Sequence, residues 1–291
     1  MEFTTQEYPC PLCADNKTKP VVNKSGFTIV QCCKCSFVYV NPRIKNNQLQ
    51  DIYKHNYFRN KSYGYVGYQQ EKRLRIKNFE RWLGMAQTFL AAGKPVNALD
   101  VGCAAGYCLE VMKSKGWNAE GLELDEEMYL NLKREGHTVY KCQIEKFESV
   151  HKYQVITLFD VIEHIPDIDS ALKELYNLVD QDGIIIIVTP DFNSLQRKIF
   201  RKKWFQYKPI EHIQYFTKNS LEVFARRNNL KMVFSCKCGQ YADTKFLVKR
   251  LKYYRFSFLS ALFKKIFPLL SLRNRFFYTD TGSVFVVFKK I

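Results

Sequence analysis

Long apolar segments are missing from this sequence. The longest purely apolar run near the middle of the 291 residues is Ile-Ile-Ile-Ile-Val at 184–188, whereas a helix that crosses a bilayer needs about 20 such residues. The chain also opens on acidic and polar residues, without the basic and apolar pattern of a secretory signal. We therefore expect a cytoplasmic protein. In that reducing compartment its ten cysteines are expected to bind metal or to be buried rather than to form disulfides.

Low-complexity tracts and internal repeats are also absent, which excludes a disordered or repeat protein. With 46% hydrophobic and 15% aromatic residues, the chain can form one large domain and a small accessory one. Acidic residues are scarce in the C-terminal third: residues 196–291 contain 22 Lys and Arg but four acids, while residues 1–195 contain 23 and 24. The net charge of +17 therefore comes from the C-terminal third, where any polyanionic partner is expected to bind.

The glycine pattern of nicotinamide- and flavin-binding folds, G-x-G-x-x-G, does not follow the buried strand that ends near Val101. Instead, Gly102 and Gly106 are separated by three residues, and Asp100 stands two residues before the first glycine. Glycine lets the backbone approach a ligand, and the helix that follows points its first N–H groups at the same place. A second strand-like run ends at Glu123, whose carboxylate can accept hydrogen bonds from both hydroxyls of a ribose. The two stretches together predict a nucleoside-binding site.

Asp-Val-Gly-Cys-Ala-Ala-Gly at 100–106 and Gly-Leu-Glu-Leu-Asp at 121–125 resemble the first two motifs of class I S-adenosylmethionine-dependent methyltransferases. That family usually has glycine at the position of Ala104. Residues 143–145 follow the third strand, where the family contacts the adenine, and residues 159–164 follow the fourth, facing the methyl donor and acceptor. The resemblance implies that S-adenosylmethionine is bound by Asp100, Gly102, Cys103, Ala104, Gly106, Glu123, Leu124, Ile144, Glu145, Phe159 and Asp160.

Later stretches extend the resemblance to a bacterial branch of this family that often carries an N-terminal zinc ribbon. Trp204 and the segment Glu-His-Ile-Gln-Tyr-Phe-Thr at 211–217 resemble the "W…H…F" pattern of that branch. Its characterised relatives include C-methyltransferases that act on nucleotide-linked deoxysugars. Asp160, Glu163 and His164 also resemble a segment of ubiquinone-pathway O-methyltransferases, in which a divalent ion can take part.

The order of apolar segments predicts an α/β fold, a doubly wound and mostly parallel seven-stranded sheet of the Rossmann-like methyltransferase type, with a small N-terminal zinc ribbon. Helical patterns lie between the strands, one beginning after Asp125 as N-cap and ending at Gly136, and another over about 168–179. The family resemblance implies that the last strand runs antiparallel to its neighbours. The strand candidates are 96–101, 119–123, 138–141, 154–159, 183–189, 230–236 and 283–289.

Three regions are expected along the chain. Residues 1–42 form the zinc ribbon, residues 43–95 a helical linker and lid, and residues 96–291 the methyltransferase domain with a basic, aromatic-rich insertion at 240–280. The linker contains a long amphipathic helix over about 70–90. Its tyrosine-rich stretch 63–68 either caps the ligand pocket or packs between the two domains.

Four cysteines in two C-x2-C pairs, Cys10 with Cys13 and Cys32 with Cys35, predict a structural zinc site. Each pair can lie on a tight knuckle, and four thiolates fill a tetrahedral coordination sphere. Cys33 is a spare that could compete with Cys32 as a ligand. The other five cysteines are expected to be buried small residues.

Methyl transfer from a sulfonium needs alignment of nucleophile, methyl group and sulfur, and it needs a base where the nucleophile must lose a proton. His164 and His212 are the candidate catalytic residues, because histidine titrates near neutral pH. The alternative for His164 is a hydrogen-bonded structural histidine.

Residues 245–275 contain nine Lys and Arg and no acid, and large apolar residues alternate with the cations. This pattern favours a helix on an anionic membrane surface, which would place the enzyme peripherally at the inner face of the membrane. A solvated face and an RNA-binding patch are the alternatives. An Asn/Asp-Pro-Pro-aromatic motif is absent after the fourth strand, which argues against methylation of exocyclic base nitrogens but leaves carbon and ribose methylation of RNA open.

The sequence as a whole predicts an S-adenosylmethionine-dependent methyltransferase for a small-molecule acceptor, such as a sugar or a lipid-linked intermediate. An RNA methyltransferase that uses the basic C-terminal region is the first alternative, and nucleic acid is the less favoured partner. A non-catalytic methyltransferase fold that serves as a binding module is the second. The intact residues Asp100, Gly102, Gly106 and Glu123 argue against it.

Overall fold

The N-terminal segment forms a small antiparallel sheet around the two cysteine pairs. In the computed structural model, residues 3–54, 71–91, 93–254, 261–262 and 276–291 are described. The elements of this segment are β1 (Thr5–Gln6), β2 (Thr18–Lys24), β3 (Phe27–Cys32), β4 (Val38–Val40), β5 (Arg43–Ile44) and α1 (Asn46–Lys54). Strands β2, β3 and β4 pair in that order, as expected of a zinc ribbon.

Alternating strands and helices follow, with three single 3-10 turns at Ile144–Lys146, Ile162–His164 and Arg201–Lys203. In chain order the elements are α2 (Lys72–Gln87), β6 (Asn97–Val101), α3 (Tyr107–Ser114), β7 (Asn118–Leu122), α4 (Glu126–Arg134), β8 (Thr138–Tyr140), β9 (Tyr153–Phe159), α5 (Ile168–Leu178), β10 (Val179–Pro190), α6 (Leu195–Phe200), β11 (Gln214–Tyr215), α7 (Lys218–Arg227), β12 (Leu230–Ala242), α8 (Thr244–Tyr253) and β13 (Phe277–Lys290).

The large sheet has seven strands in the order β12-β13-β10-β9-β6-β7-β8. Strands β10, β9, β6, β7 and β8 are parallel, and β13 runs antiparallel to both of its neighbours. The predicted fold class is therefore confirmed, including the antiparallel last strand. The isoleucine run 184–188 lies in β10 and is fully buried, because helices cover both faces of a parallel sheet.

Several element boundaries differ from the expected ones. Val179 begins β10, opposite Tyr153, and does not belong to the preceding helix. Strands β12 and β13 are longer than expected and pair antiparallel from Leu230 opposite Lys290 to Ala242 opposite Phe277, with α8 in the connection between them. Helix α2 is shorter than the expected range 70–90. The expected N-cap is confirmed, because Asp125 accepts hydrogen bonds from the first turn of α4.

The ribbon packs onto one face of the large sheet and shares its hydrophobic core. Phe37 contacts Phe216 and Phe224 with ring centroids 5.6 and 5.4 Å apart. The buried Cys10 and Cys32 belong to the same apolar cluster as the sheet residues beneath α5 and α7. Strand β11, which comes from the methyltransferase part of the sequence, pairs with β4 and extends the ribbon sheet. The small sheet is therefore built from both parts of the chain.

Two sequence predictions fall largely outside the described residues. The tyrosine-rich stretch 63–68 is not described, and of the basic stretch 245–275 only 245–254 and 261–262 are described, with 245–253 forming most of α8. None of the helices in the described ranges has both the length and the apolar character that a bilayer crossing requires. Whether 245–275 contacts membrane or RNA stays a prediction.

Candidate active site

The turn between β6 and α3 requires glycine at two positions. Gly102 and Gly106 have φ angles of 72° and 73°, in the left-handed region. A Cβ at Gly102 would lie 2.7 Å from a methyl group of Val161, and one at Gly106 would overlap Leu132. The side chains of Val161 and Leu132 therefore leave no room for a larger residue at these two positions, whether or not a ligand is bound. Ala104 has a left-handed φ of 49°, which strains a residue that carries a Cβ. The family that the sequence resembles usually has glycine at this position.

Substitution of Ala104 by glycine is expected to increase the free energy of unfolding by about 1 kcal/mol, because relief of the left-handed alanine exceeds the added entropy of the unfolded chain. Ala105 has no such φ angle, so Ala105→Gly is the matched control and should lower the free energy of unfolding by about 0.5–1 kcal/mol. Denaturant unfolding of both variants is the measurement. A loss of stability in Ala104→Gly would contradict the strain.

Two buried carboxyl groups lie at the ends of β6 and β7. Glu123 accepts hydrogen bonds of 2.7 Å from the backbone N–H groups of Ala104, Leu124 and Asp125. Asp100 accepts a hydrogen bond from Thr157. Burial raises the pKa of each carboxyl to about 7. The backbone amides fix the Glu123 carboxylate, whose remaining lone pairs can accept ligand hydroxyls.

One pocket of about 260 Å³ contains nearly all the residues predicted to bind the cofactor. Gly106 is not among the lining residues, since its part is to form the turn. Phe159 stacks on Phe79 and packs against Trp82 of α2, which closes one wall. The predicted residues that line the pocket are Asp100, Gly102, Cys103, Ala104, Glu123, Leu124, Ile144, Glu145, Phe159 and Asp160.

His164 and His212, the two predicted catalytic residues, line the same pocket with their rings 4.9 Å apart. The Nδ1 atom of His164 lies 2.9 Å from the backbone carbonyl of Glu211 and 3.0 Å from the hydroxyl of Tyr53. The neighbouring Glu163 is buried, and one of its carboxylate oxygens accepts a 2.8 Å hydrogen bond from Thr189. The structure therefore brings the two histidines together, and it adds a carboxyl group to them.

The ionisation of these groups is set by burial. Burial lowers the pKa of His164 to about 4, so its imidazole is neutral at pH 7. It raises the pKa of Glu163 to about 8, with the nearby Asp160 adding to the effect. Burial also raises the pKa of Asp160, which the cations of Arg75 and Lys208 partly oppose. The neutral imidazole is able to accept a proton from a bound acceptor at pH 7, whereas the carboxyl of Glu163 can do so only above about pH 8.

Comparison with known proteins agrees with this geometry. Residues 73–234, more than half of the chain, match a family model described as a methyltransferase domain. The chain belongs to this family. The match begins at α2 and ends in β12, so the ribbon and α1 of this methyltransferase lie outside it.

Curated relatives are similar to this chain in sequence, and solved structures are similar to it in fold. The methyltransferase is 31% identical over 110 residues to the ubiquinone biosynthesis O-methyltransferase of Pseudomonas savastanoi, covering 35% of this chain and 47% of the relative. It is 32% identical over 110 residues to the protein of the same name in Nitrosospira multiformis, covering 35% and 45%. The chain thus spans about half the length of the curated relatives that it matches.

The methyltransferase is also similar to solved structures in its fold. An S-adenosylmethionine-dependent methyltransferase from Clostridium acetobutylicum has 12% identity and a TM-score of 0.50, with 77% of this chain and 97% of that one covered. A methyltransferase described in the same terms from Archaeoglobus fulgidus has 17% identity and a TM-score of 0.50, with 77% and 99% covered. At these identities the likeness shows the fold.

Sequence reasoning missed several side chains that complete the pocket of the methyltransferase. Arg75 and Asn78 come from α2, Tyr53 from α1, and Lys208 from the turn before His212. Asn78 is a polar residue on the buried face of an amphipathic helix, and this pattern could have indicated its place in the pocket. No local pattern indicated Tyr53 or Lys208, because the fold brings them to the pocket from distant parts of the chain.

A divalent ion, which the resemblance to ubiquinone-pathway enzymes implies, fits one part of the pocket. The ligand atoms of Glu163, His164 and His212 lie within 4.8 Å of one another. Within the part of the chain that is described, Glu163 Oε1 and His212 Nδ1 are buried without a hydrogen-bond partner. A carboxylate and two imidazoles suit a transition metal better than Ca²⁺. A hydroxyl or amine of the acceptor would satisfy the same two atoms.

The four-cysteine cluster of the methyltransferase has the geometry of a tetrahedral metal site. The Sγ atoms of Cys10 and Cys35, and those of Cys13 and Cys32, are 3.5 Å apart, and all four lie within 4.8 Å of one another. A ZnS₄ tetrahedron with Zn–S bonds of about 2.3 Å has edges of about 3.8 Å. Cys33 is exposed and does not belong to the cluster, so it is not a competing ligand.

The two knuckles of this cluster are alike in their backbone. The carbonyls of Cys10 and Cys32 accept hydrogen bonds from Ala14 and Ser36, four residues on, and these two residues have left-handed φ angles of 58° and 63°. Burial raises the pKa of Cys35 to about 11. A bound cation would provide the charge that four neighbouring thiolates need, so the donor set fits zinc.

Proposed function

We propose that this methyltransferase transfers the methyl group of S-adenosylmethionine to a small-molecule acceptor bound beside Glu163, His164 and His212. The observation that supports the proposal is a shared pocket: the two motif carboxylates, Asp100 and Glu123, and the histidine cluster all line it. A cofactor bound at the carboxylates and an acceptor bound at the histidines would therefore share one cavity, as direct transfer requires.

Each part of the pocket has a separate task in this proposal. The bound cofactor supplies an electrophilic methyl group. Glu123 is positioned to accept hydrogen bonds from a ribose, and Ile144 and Glu145 line the part of the pocket expected to hold the adenine. Phe79 and Phe159 exclude water from the wall of the cavity. The buried acids also favour a cationic ligand over a neutral one.

The acceptor side has the groups needed to remove a proton. Neutral His164, or Glu163 above its raised pKa of about 8, would take the proton from an acceptor hydroxyl or amine as the methyl group is transferred. The curated relatives are named O-methyltransferases, which favours oxygen as the nucleophile. A phenol or other hydroxyl compound is the acceptor class that we propose, and a sugar or a lipid-linked intermediate belongs to that class.

A structural zinc ion held by Cys10, Cys13, Cys32 and Cys35 completes the proposal. The cluster lies in the shared core between ribbon and sheet, where two of its thiols are buried. With four sulfur ligands the metal has no open position for substrate, so its part is to stabilise the fold.

Substitution of Glu123 by alanine is expected to weaken binding of S-adenosylhomocysteine by about 1–3 kcal/mol, because ribose hydroxyls lose a buried charged acceptor. Calorimetric titration is the measurement. Glu127→Ala, an exposed position on the neighbouring helix α4, is the control and should bind like the wild type. An unchanged affinity of Glu123→Ala for S-adenosylhomocysteine would contradict the assignment of the cofactor site.

The acceptor class is tested with radiolabelled S-adenosylmethionine and a panel of acceptors. The panel contains catechols and simple phenols, a nucleotide-linked deoxysugar, anionic liposomes with a hydroxylated isoprenoid lipid, and a structured RNA. Transfer to a hydroxyl compound supports the proposal. Transfer to the RNA alone would contradict it and favour the RNA methyltransferase.

A further inference from the structure

Tyr53, a residue of α1 outside the matched family region, contacts the histidine cluster directly. Its hydroxyl donates a 2.9 Å hydrogen bond to the backbone carbonyl of Glu211 and lies 3.0 Å from Nδ1 of His164. The Tyr53 ring meets the His164 ring edge to face, with centroids 5.5 Å apart. Burial raises the pKa of Tyr53 well above its ordinary value, so the hydroxyl keeps its proton.

Two groups contact the Nδ1 atom of His164, the hydroxyl of Tyr53 and the carbonyl of Glu211. The Glu211 carbonyl can only accept hydrogen bonds, so the Nδ1 atom 2.9 Å away must donate to it. The hydroxyl of Tyr53 donates its own proton to the same carbonyl, and its oxygen is then a second acceptor for the Nδ1–H group. His164 also has a backbone hydrogen bond to Asp160, so three groups hold the ring in place.

We propose that Tyr53 is a positioning residue for His164: it accepts a hydrogen bond from the Nδ1–H group and orients the ring. The proposal rests on the proposed function in that His164 is the group that receives the acceptor's proton. Tyr53 acts through His164 and has no contact with the reacting atoms in this account.

The placement of Tyr53 depends on well-packed neighbours in α1. Leu49 and Ile52 of the same helix are buried in a small core with Ile44 and Ile213. Ile213 directly follows His212, and its backbone N–H donates to the Glu163 carbonyl. The helix that supplies Tyr53 is therefore fixed to the same segment that supplies the second histidine.

Tyr53→Phe tests the proposal, because it removes the hydroxyl and keeps the ring packing. The first readout is the imidazole signal of His164 in ¹H–¹⁵N NMR spectra of the full-length, zinc-loaded protein, assigned among the five histidines with a His164→Asn variant. We expect the Nδ1–H proton of His164 to move upfield, since one of its two acceptors is lost. Tyr176→Phe, on α5 away from the pocket, is the control and should leave the signal unchanged. An unchanged His164 signal in Tyr53→Phe would overturn the proposal, whether or not the protein proves active.

The second readout is a double-mutant cycle on methyl transfer, with the acceptor from the panel that the wild type methylates fastest. Tyr53→Phe should lower kcat about 10-fold, with the KM for S-adenosylmethionine unchanged. The same change in a His164→Asn background should have no further effect, because the residue through which it acts is gone. Additive losses would refute action through His164. Absence of methyl transfer by the wild type to every acceptor would instead count against the proposed function, and the NMR signal would still decide the contact.

Discussion

Replacement of Cys10 and Cys13 together by serine is expected to remove the bound zinc and to lower the rate of methyl transfer by on the order of 100-fold or more. Loss of a structural zinc site usually costs a large part of the folding free energy of the module that holds it. Here the effect should extend to the acceptor half of the pocket, because the ribbon and the histidine segment are hydrogen-bonded to each other.

The hydrogen bonds run from the ribbon strand after the second knuckle to the segments that contain the two candidate catalytic histidines. Val40 of β4 donates to the carbonyl of Ile213, and Ile213 donates to the carbonyl of Glu163. Strand β11 pairs with β4, and the side chain of Gln214 in β11 donates a 2.6 Å hydrogen bond to the carbonyl of Ile165. A displaced β4 would therefore move the residues on both sides of His164, and a misplacement of about 1 Å can cost on the order of 100-fold in rate.

Three measurements separate this coupling from general unfolding. Zinc content by elemental analysis should fall from one ion per chain to none in the double variant. Binding of S-adenosylhomocysteine, measured by calorimetry, should be reduced less than methyl transfer, since the Glu123 carboxylate is held by the backbone of Ala104, Leu124 and Asp125 and not by the ribbon strands. Cys33→Ser is the matched control, because Cys33 is exposed and outside the cluster, and it should keep zinc and activity. Full activity in a zinc-free protein would show that the ribbon does not support catalysis.

Substitution of His164 by asparagine is expected to lower kcat by about 10²–10⁴-fold, the range for loss of a general base, with a smaller effect on binding of the cofactor. Asparagine keeps a hydrogen-bond donor for the Glu211 carbonyl but cannot take up a proton at neutral pH. His151→Asn, at an exposed loop position, is the matched control and should behave like the wild type. A His164→Asn variant with the wild-type kcat would remove His164 from the mechanism.

The pH dependence of kcat distinguishes His164 from Glu163 as the base. A base must be unprotonated to act, so the rate rises with pH through its pKa. If His164 accepts the proton, the rise should lie near its pKa of about 4 and the rate should be level above it. If Glu163 accepts the proton, the rate should keep rising until about pH 8. In that case Glu163→Gln should abolish the rise near pH 8 and His164→Asn should leave it in place.

Much of the fold and half of the pocket could be predicted from the sequence. The glycine turn, the carboxylate at the end of the second strand and the paired cysteines are local patterns, in which close spacing along the chain fixes closeness in space. The apolar strand segments predicted the large sheet for the same reason, since a short β-branched run such as 184–188 is typical of a buried strand. The predicted strand ends were less accurate where residues face solvent, as in the part of the β12–β13 pair that lies farthest from Leu230 and Lys290.

Several residues around the two predicted histidines were decided only by the tertiary structure. Tyr53 and His164 are separated by 111 positions, and β4 and β11 by more than 170, so no periodicity or spacing relates them. The raised pKa of Glu163 results mainly from burial by surrounding elements, to which the neighbouring Asp160 adds. The sequence by itself determined the fold and the cofactor motifs, which depend on near neighbours. Long-range packing of the ribbon against the sheet determined which further side chains line the proposed acceptor end of the pocket, because that packing sets both their distances and their charge.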